Sequence, residues 1–313
     1  MENRYHTIFF LAASYTLFSF ATYISDDKIN LHGWLISIFL SGVVNILASM
    51  IIFGNKKAYK TVYFVGTIYL YLVFFKTVNS MNSYMQMYYS RHSVIITVIV
   101  TLLMLILLKG MTQLSLERLA LPVAYIGLFM IMLIFLLNCN KVNPINLYSS
   151  DTAVYASEIN VTLFDYIIPL ALMTDYNTKK DRIFFIKLNT FIVFIISILT
   201  ILVFSCLKGD IMYSISPLQI AFQLPVGLQI FNFEAIYSCF LWFCYFSGLI
   251  LLTISHNNVL LNGVKSLKSS LLALILAVWI QSFMSEKLWG VMNLLIVILL
   301  YFTVKRKDLY AKN

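Results

Sequence analysis

The chain has 313 residues, of which 61% are hydrophobic, 16% aromatic and only 11% charged, with a mean hydropathy of +0.87. Soluble domains run about 45–50% apolar and about 25% charged, so this chain lacks the polar side chains to cover a water-facing surface. Its net charge of +9 comes from basic residues scattered at segment ends, which argues against a nucleic-acid-binding stripe and leaves a polytopic, all-α integral membrane protein.

About 20 apolar residues cross a bilayer as a helix, and ten such spans are predicted. Residues 1–6 carry Glu2 and Arg4 with no small-residue cleavage site beyond them, so the first span, 7–25, reads as a retained helix and not a signal peptide. The second span covers 33–54 and the third 61–80. The third is one of the two weaker spans, and Lys76 sits inside it. Spans four and five cover 93–109 and 119–138, after which a polar outer loop, 139–157, divides the spans five and five. The sixth, 158–174, is also weak; the seventh covers 183–207. The outer segment 208–234 contains the apolar stretch 215–226, broken by Pro217, Pro225 and Gly227. That composition suits a segment at the interface or capping a cavity; a plain surface loop is the alternative. Spans eight to ten follow at 235–255, 269–285 and 287–304, the last two separated by a tight turn. Four cysteines, at 139, 206, 239 and 244, show no Cys-x-x-Cys and no Cys–His spacing, which argues against zinc and a disulfide framework. Cys239 and Cys244 read as packing residues, and His92 and His256 as solvated at membrane edges.

Loop charge gives an independent test of the count. With the N-terminus inside, the cytoplasmic pieces hold 16 Lys and Arg and the outer loops five: Lys28, Arg91, Lys141, Lys208 and Lys287. That split follows the positive-inside bias and places both termini in the cytoplasm. Five spans per half put the halves in opposite orientations, the inverted-repeat plan whose substrate site lies at the midplane where the first helix of each half is interrupted. The first repeat is then 1–138, the linker 139–157 and the second repeat 158–313. The sixth span, 17 residues or about 25 Å long, holds Asn160, Thr162, Asp165, Tyr166 and Pro169, unusually polar for lipid. The first has Ser14, Tyr15, Thr16 and Ser19 but neither Gly nor Pro, so a broken sixth helix is better supported than a broken first one.

Asp165 carries the sharpest signal. A charge at helix centre costs about 2.5–3.5 kcal/mol against about 0.3–0.6 gained per Leu, Ile, Phe or Val, so the span survives, but the carboxylate needs a cavity, a partner or a proton. Either it recognises a ligand amine or a proton, or it caps the backbone of a broken helix. Lys76 lies about 22 Å up a roughly 30 Å core and Asp165 about 10 Å below the outer edge. The two depths permit a pair; snorkelling of Lys76 to the outer interface is the alternative. Glu234 opens the eighth span, where a carboxylate favours the positive helix end, or it serves as a gate or subunit contact. Ser14, Tyr15, Thr162, Tyr166, Tyr245 and Ser247 are polar groups that would line a cavity, or form helix–helix hydrogen bonds. The sequence shows no nucleophile–base pair, phosphate loop or metal spacing, so neither an enzyme nor a cofactor is expected.

Several stretches together resemble the B-type membrane subunits of spore germinant receptors, relatives of the amino-acid permeases. Pro217-Leu218 through Phe231-Asn232-Phe233-Glu234-Ala235, then Trp242 and Ser247, is similar to their outer loop running into an eighth helix. Lys109-Gly110 followed by Glu117-Arg118-Leu119-Ala120 resembles the basic turn entering their fifth helix, and Pro169, Asp175 and Lys179-Lys180 their sixth helix and its exit loop. His32-Gly33-Trp34 looks like the start of their second helix. Unlike the family, the chain has no Gly or Pro in its first span and has Arg91-His92-Ser93 where a Thr-Pro pair is usual. The resemblance implies a five-plus-five amino-acid permease (APC) fold and a small nutrient ligand such as an amino acid. It also implies partners: an A-type membrane subunit and a C-type lipoprotein. Three functions stay open: a nutrient-sensing receptor subunit, a proton-coupled amino-acid or small-solute transporter, and a scaffold subunit without a ligand site.

Overall fold

The computed structural model describes residues 14–15, 18–19, 31–52, 60–89, 92–112, 143–148, 179–206, 234–262 and 267–284, with scattered helical positions between 115 and 136 and between 288 and 298. The sixth span, with Thr162, Asp165 and Tyr166, and nearly all of the 208–234 segment lie outside the described residues.

Every regular element among the described residues is helical, with no strand. In chain order they are α1 (Leu31–Ile52), α2 (Lys60–Tyr89), α3 (Ser93–Lys109), α4 (Ile145–Tyr148), α5 (Lys179–Cys206), α6 (Glu234–Asn262) and α7 (Leu267–Gln281). The fourth span coincides with α3, and the second, seventh, eighth and ninth fall on α1, α5, α6 and α7. Among the described residues two helices are long and apolar enough to cross a membrane, over Tyr63–Gln86 in α2 and Ser238–Asn257 in α6. The third span was expected to stop at residue 80, yet α2 continues to Tyr89. Polar residues such as Asn79 and Ser80 lower hydropathy without breaking a helix, because nothing in them removes a backbone donor. The 139–157 loop contains α4, which packs on α5, where the Asn143 amide donates to the Ser205 carbonyl at 3.2 Å.

The helices are built inside out relative to those of a water-soluble protein. In α3 the buried positions are Ser93, Thr97, Thr101 and Leu108, whereas Ile95, Leu103, Ile106 and Leu107 point outward. In α7, Ala273 and Ala277 face in while Leu272, Ile275 and Trp279 face out. In α1, Gly33, Ser37 and Ser41 form the inner stripe and Ile36, Phe39 and Leu40 the outer one. Small residues four apart let helix backbones approach closely. At Gly42 the approach is tight enough that a Cβ would lie 2.6 Å from Val193 Cγ2 of α5, and Asn189 Nδ2 donates to the Gly42 carbonyl at 3.1 Å.

α2 is the central element, packed against α3, α6 and α7. Tyr71 meets His256, and Tyr84 meets Ser238, so α6 runs antiparallel to α2. Thr101 meets Tyr245, and α3 runs alongside α6. Cys244 is buried as expected, but Cys239 is exposed on the outer face of α6. His256, expected to be solvated, is half-buried against the Tyr71 ring at 5.4 Å between centroids.

Candidate functional site

The described part of the first span enters the helix group with Ser14, Tyr15 and Phe18 all buried. The Tyr15 ring fits because Gly248 carries no side chain there: a Cβ on Gly248 would stand 2.5 Å from Tyr15 Cδ2. One turn along, the Phe18 ring lies 5.5 Å from that of Tyr245, which meets Trp242 edge-on at 5.8 Å.

Two phenol–threonine pairs flank these rings. Thr77 donates its hydroxyl proton to the Val73 carbonyl at 2.7 Å, so in the 2.8 Å pair between Tyr15 and Thr77 the tyrosine is the donor. The same logic makes Tyr245 the donor to Thr101 at 2.6 Å, because Thr101 donates to the Thr97 carbonyl. Ser14 differs: its Oγ is buried and has no hydrogen-bond partner among the described residues, which is unusual for an interior polar atom.

The structure therefore brings together three of the residues expected to line a cavity, Ser14, Tyr15 and Tyr245, on the first span and α6. Ser247 is buried next to Gly248 but turns its hydroxyl to the Phe243 carbonyl of its own helix at 2.9 Å. Glu234 is the first residue of α6. Lys76 is half-buried, with Nζ 5.0 Å from the centroid of the Trp289 ring, which stacks on Tyr69. A cation over an indole is worth about 0.5–2 kcal/mol, depending on desolvation. Sequence reasoning did not anticipate Thr77, Thr101, Phe18 or Gly248. The available signal was a small residue, rather than a large one, facing each predicted tyrosine.

A second feature begins within one turn, where α2, α3, α6 and α7 diverge around a cavity of about 430 Å³. Phe74, Phe75, Leu249, Leu252 and Leu274 supply apolar wall, and Lys109, His256 and Asn257 stand at one end. There the Tyr71 hydroxyl meets Ser270 Oγ at 2.8 Å and His256 Nε2 at 3.1 Å, tying three helices together. The single phenol proton permits two orders, Ser270 to Tyr71 to His256 or the reverse.

No family model, curated protein or solved structure matches this chain.

Proposed function

We propose that this protein is a permease-like membrane subunit of a spore germinant receptor, sensing a small nutrient such as an amino acid. In this reading ten helices cross the membrane in a five-plus-five inverted repeat, with both termini cytoplasmic, and A-type and C-type subunits complete the receptor. The reading rests on the motif resemblance, the 16-to-5 distribution of basic residues and the outward apolar faces of α1, α3 and α7. The observation that carries a ligand role is Ser14, an unpartnered polar atom buried beside Tyr15 on the segment where a permease would hold substrate. A ligand carboxylate or ammonium there would supply the missing hydrogen bond. Asp165, at its expected depth in the sixth span, would meet the ligand amine or a proton.

The test is binding and flux together in proteoliposomes of the full chain, using radiolabelled amino acids. Binding that is lost in Asp165→Asn and weakened in Ser14→Ala, without gradient-driven uptake, is the expected result. Saturable uptake driven by a proton gradient would make the protein a transporter, and absence of both in a stably inserted protein would leave a scaffold. The topology is checked separately after replacing the four native cysteines by Ser. A cysteine at Ser149 should then label from outside and one at Thr178 should not.

A further inference from the structure

We propose that the cavity between α2, α3, α6 and α7 holds an acyl chain of an anionic glycerophospholipid from the cytoplasmic leaflet, with Lys109 at its rim on the phosphate. This rests on the membrane reading above but not on the nutrient site, since Ser14, Tyr15 and Tyr245 do not line this cavity.

The shape favours a chain over a polar solute. The volume of about 430 Å³ lies within the range of ligand pockets, and most of its wall is Leu and Phe side chain. Of the polar groups that line it, Thr253 spends its hydroxyl proton on the Leu249 carbonyl at 2.7 Å, and Tyr71 and His256 bond to each other. The deep wall thus offers little to a zwitterion such as an amino acid. An alkyl chain asks nothing more of it.

The charge favours an anionic head. Lys109 is the last residue of α3, exposed, and also lines the cavity. Ser270, close to the cavity through Tyr71, stands two residues after the exposed Lys268 in the first turn of α7. Neither α2 nor α7 has an acid in its first turn. Basic residues between helices on the cytoplasmic side are the arrangement that recognises anionic lipid heads. The cavity is held open in advance, since the Tyr71–His256–Ser270 bonds fix three of its four helices; a lipid pays little to order it.

The test uses the full chain in nanodiscs of phosphatidylcholine, with a phosphatidylglycerol carrying a photoreactive diazirine on its acyl chain. Labelled peptides should map to residues 70–75 and 249–257, and unlabelled phosphatidylglycerol should compete where phosphatidylcholine does not. Lys109→Gln should cut labelling about fivefold, the equivalent of the roughly 1 kcal/mol that one Lys contributes near an anionic surface. Leu274→Phe, which narrows the cavity, should lower labelling with Lys109 intact; Leu105→Phe serves if that variant does not accumulate. Equal labelling by a phosphatidylcholine probe, labels spread over the outward face of α3, or displacement by an amino acid would each overturn the proposal. A diazirine fatty acid that outcompetes the phospholipid would overturn the phosphate contact. Recovery of the protein in the alkaline-soluble fraction would instead sink the membrane reading itself, and this proposal with it.

Discussion

The same helices, α2, α3 and α6, are closed at one level and open at the next. At the level of Thr77, Thr101 and Gly248, the facing residues are small, and two tyrosines and a phenylalanine from α6 and the first span fill the space. Within about one turn the facing residues are Phe74, Phe75, Leu249 and Leu252, and a void of about 430 Å³ remains among them. Large side chains on every helix hold the backbones apart without interlocking. A large residue opposite a glycine or threonine does interlock, because bulk on one side meets space on the other. Packing in lipid depends on this pairing, since dispersion and hydrogen bonds have no hydrophobic drive to help them.

Substitutions that add volume separate the two levels most sharply. Gly248→Val should destabilise by about 3 kcal/mol, the upper part of the range for overpacking, read as a lowered unfolding midpoint in detergent titration. The obstacle is the Tyr15 ring, which is held by Thr77 and cannot swing clear. Leu252→Ala should cost about 2 kcal/mol in the same titration, the low end for removing a buried leucine, because one side of Leu252 already borders a void. Tyr245→Phe is expected to cost only about 0.6–1 kcal/mol, since Thr101 keeps its bond to the Thr97 carbonyl. Leu274→Phe should change the midpoint least, by about 0.5 kcal/mol or less, as the added ring enters open space. If Leu274→Phe proved as damaging as Gly248→Val, the contrast between the levels would be wrong.

The described helices were legible from sequence because a long apolar run satisfies its own backbone donors and acceptors as a helix; 93–109 could be read to the residue. The far end of α2 was not, because hydropathy scores transfer to lipid, and Asn79 and Ser80 lower that score without ending the helix. The burial of Ser14, Tyr15 and Tyr245 was legible for a related reason: polar groups in an apolar span must turn inward. What they touch was hidden, because Thr77 and Thr101 look unremarkable in their own helices until the partner helix is known. Lys76 shows the same gap. Its depth suggested an acid or the interface, and the ring it meets, Trp289, is more than two hundred residues away in sequence. His256 was misread because its place near a span end says nothing of Tyr71 across the contact.

The hydroxyls of Thr67, Thr77, Thr101, Thr200, Ser247 and Ser255 all bond to a carbonyl four residues earlier in their own helix. Each such helix carries its own acceptors, so on the membrane reading proposed above it could leave the insertion machinery singly without stranding a polar hydrogen in hydrocarbon. At Thr77 and Thr101 the oxygen's remaining lone pair is left for a tyrosine from another part of the chain. Assembly then adds bonds without breaking any, and the order in which helices meet is free to be set by shape alone.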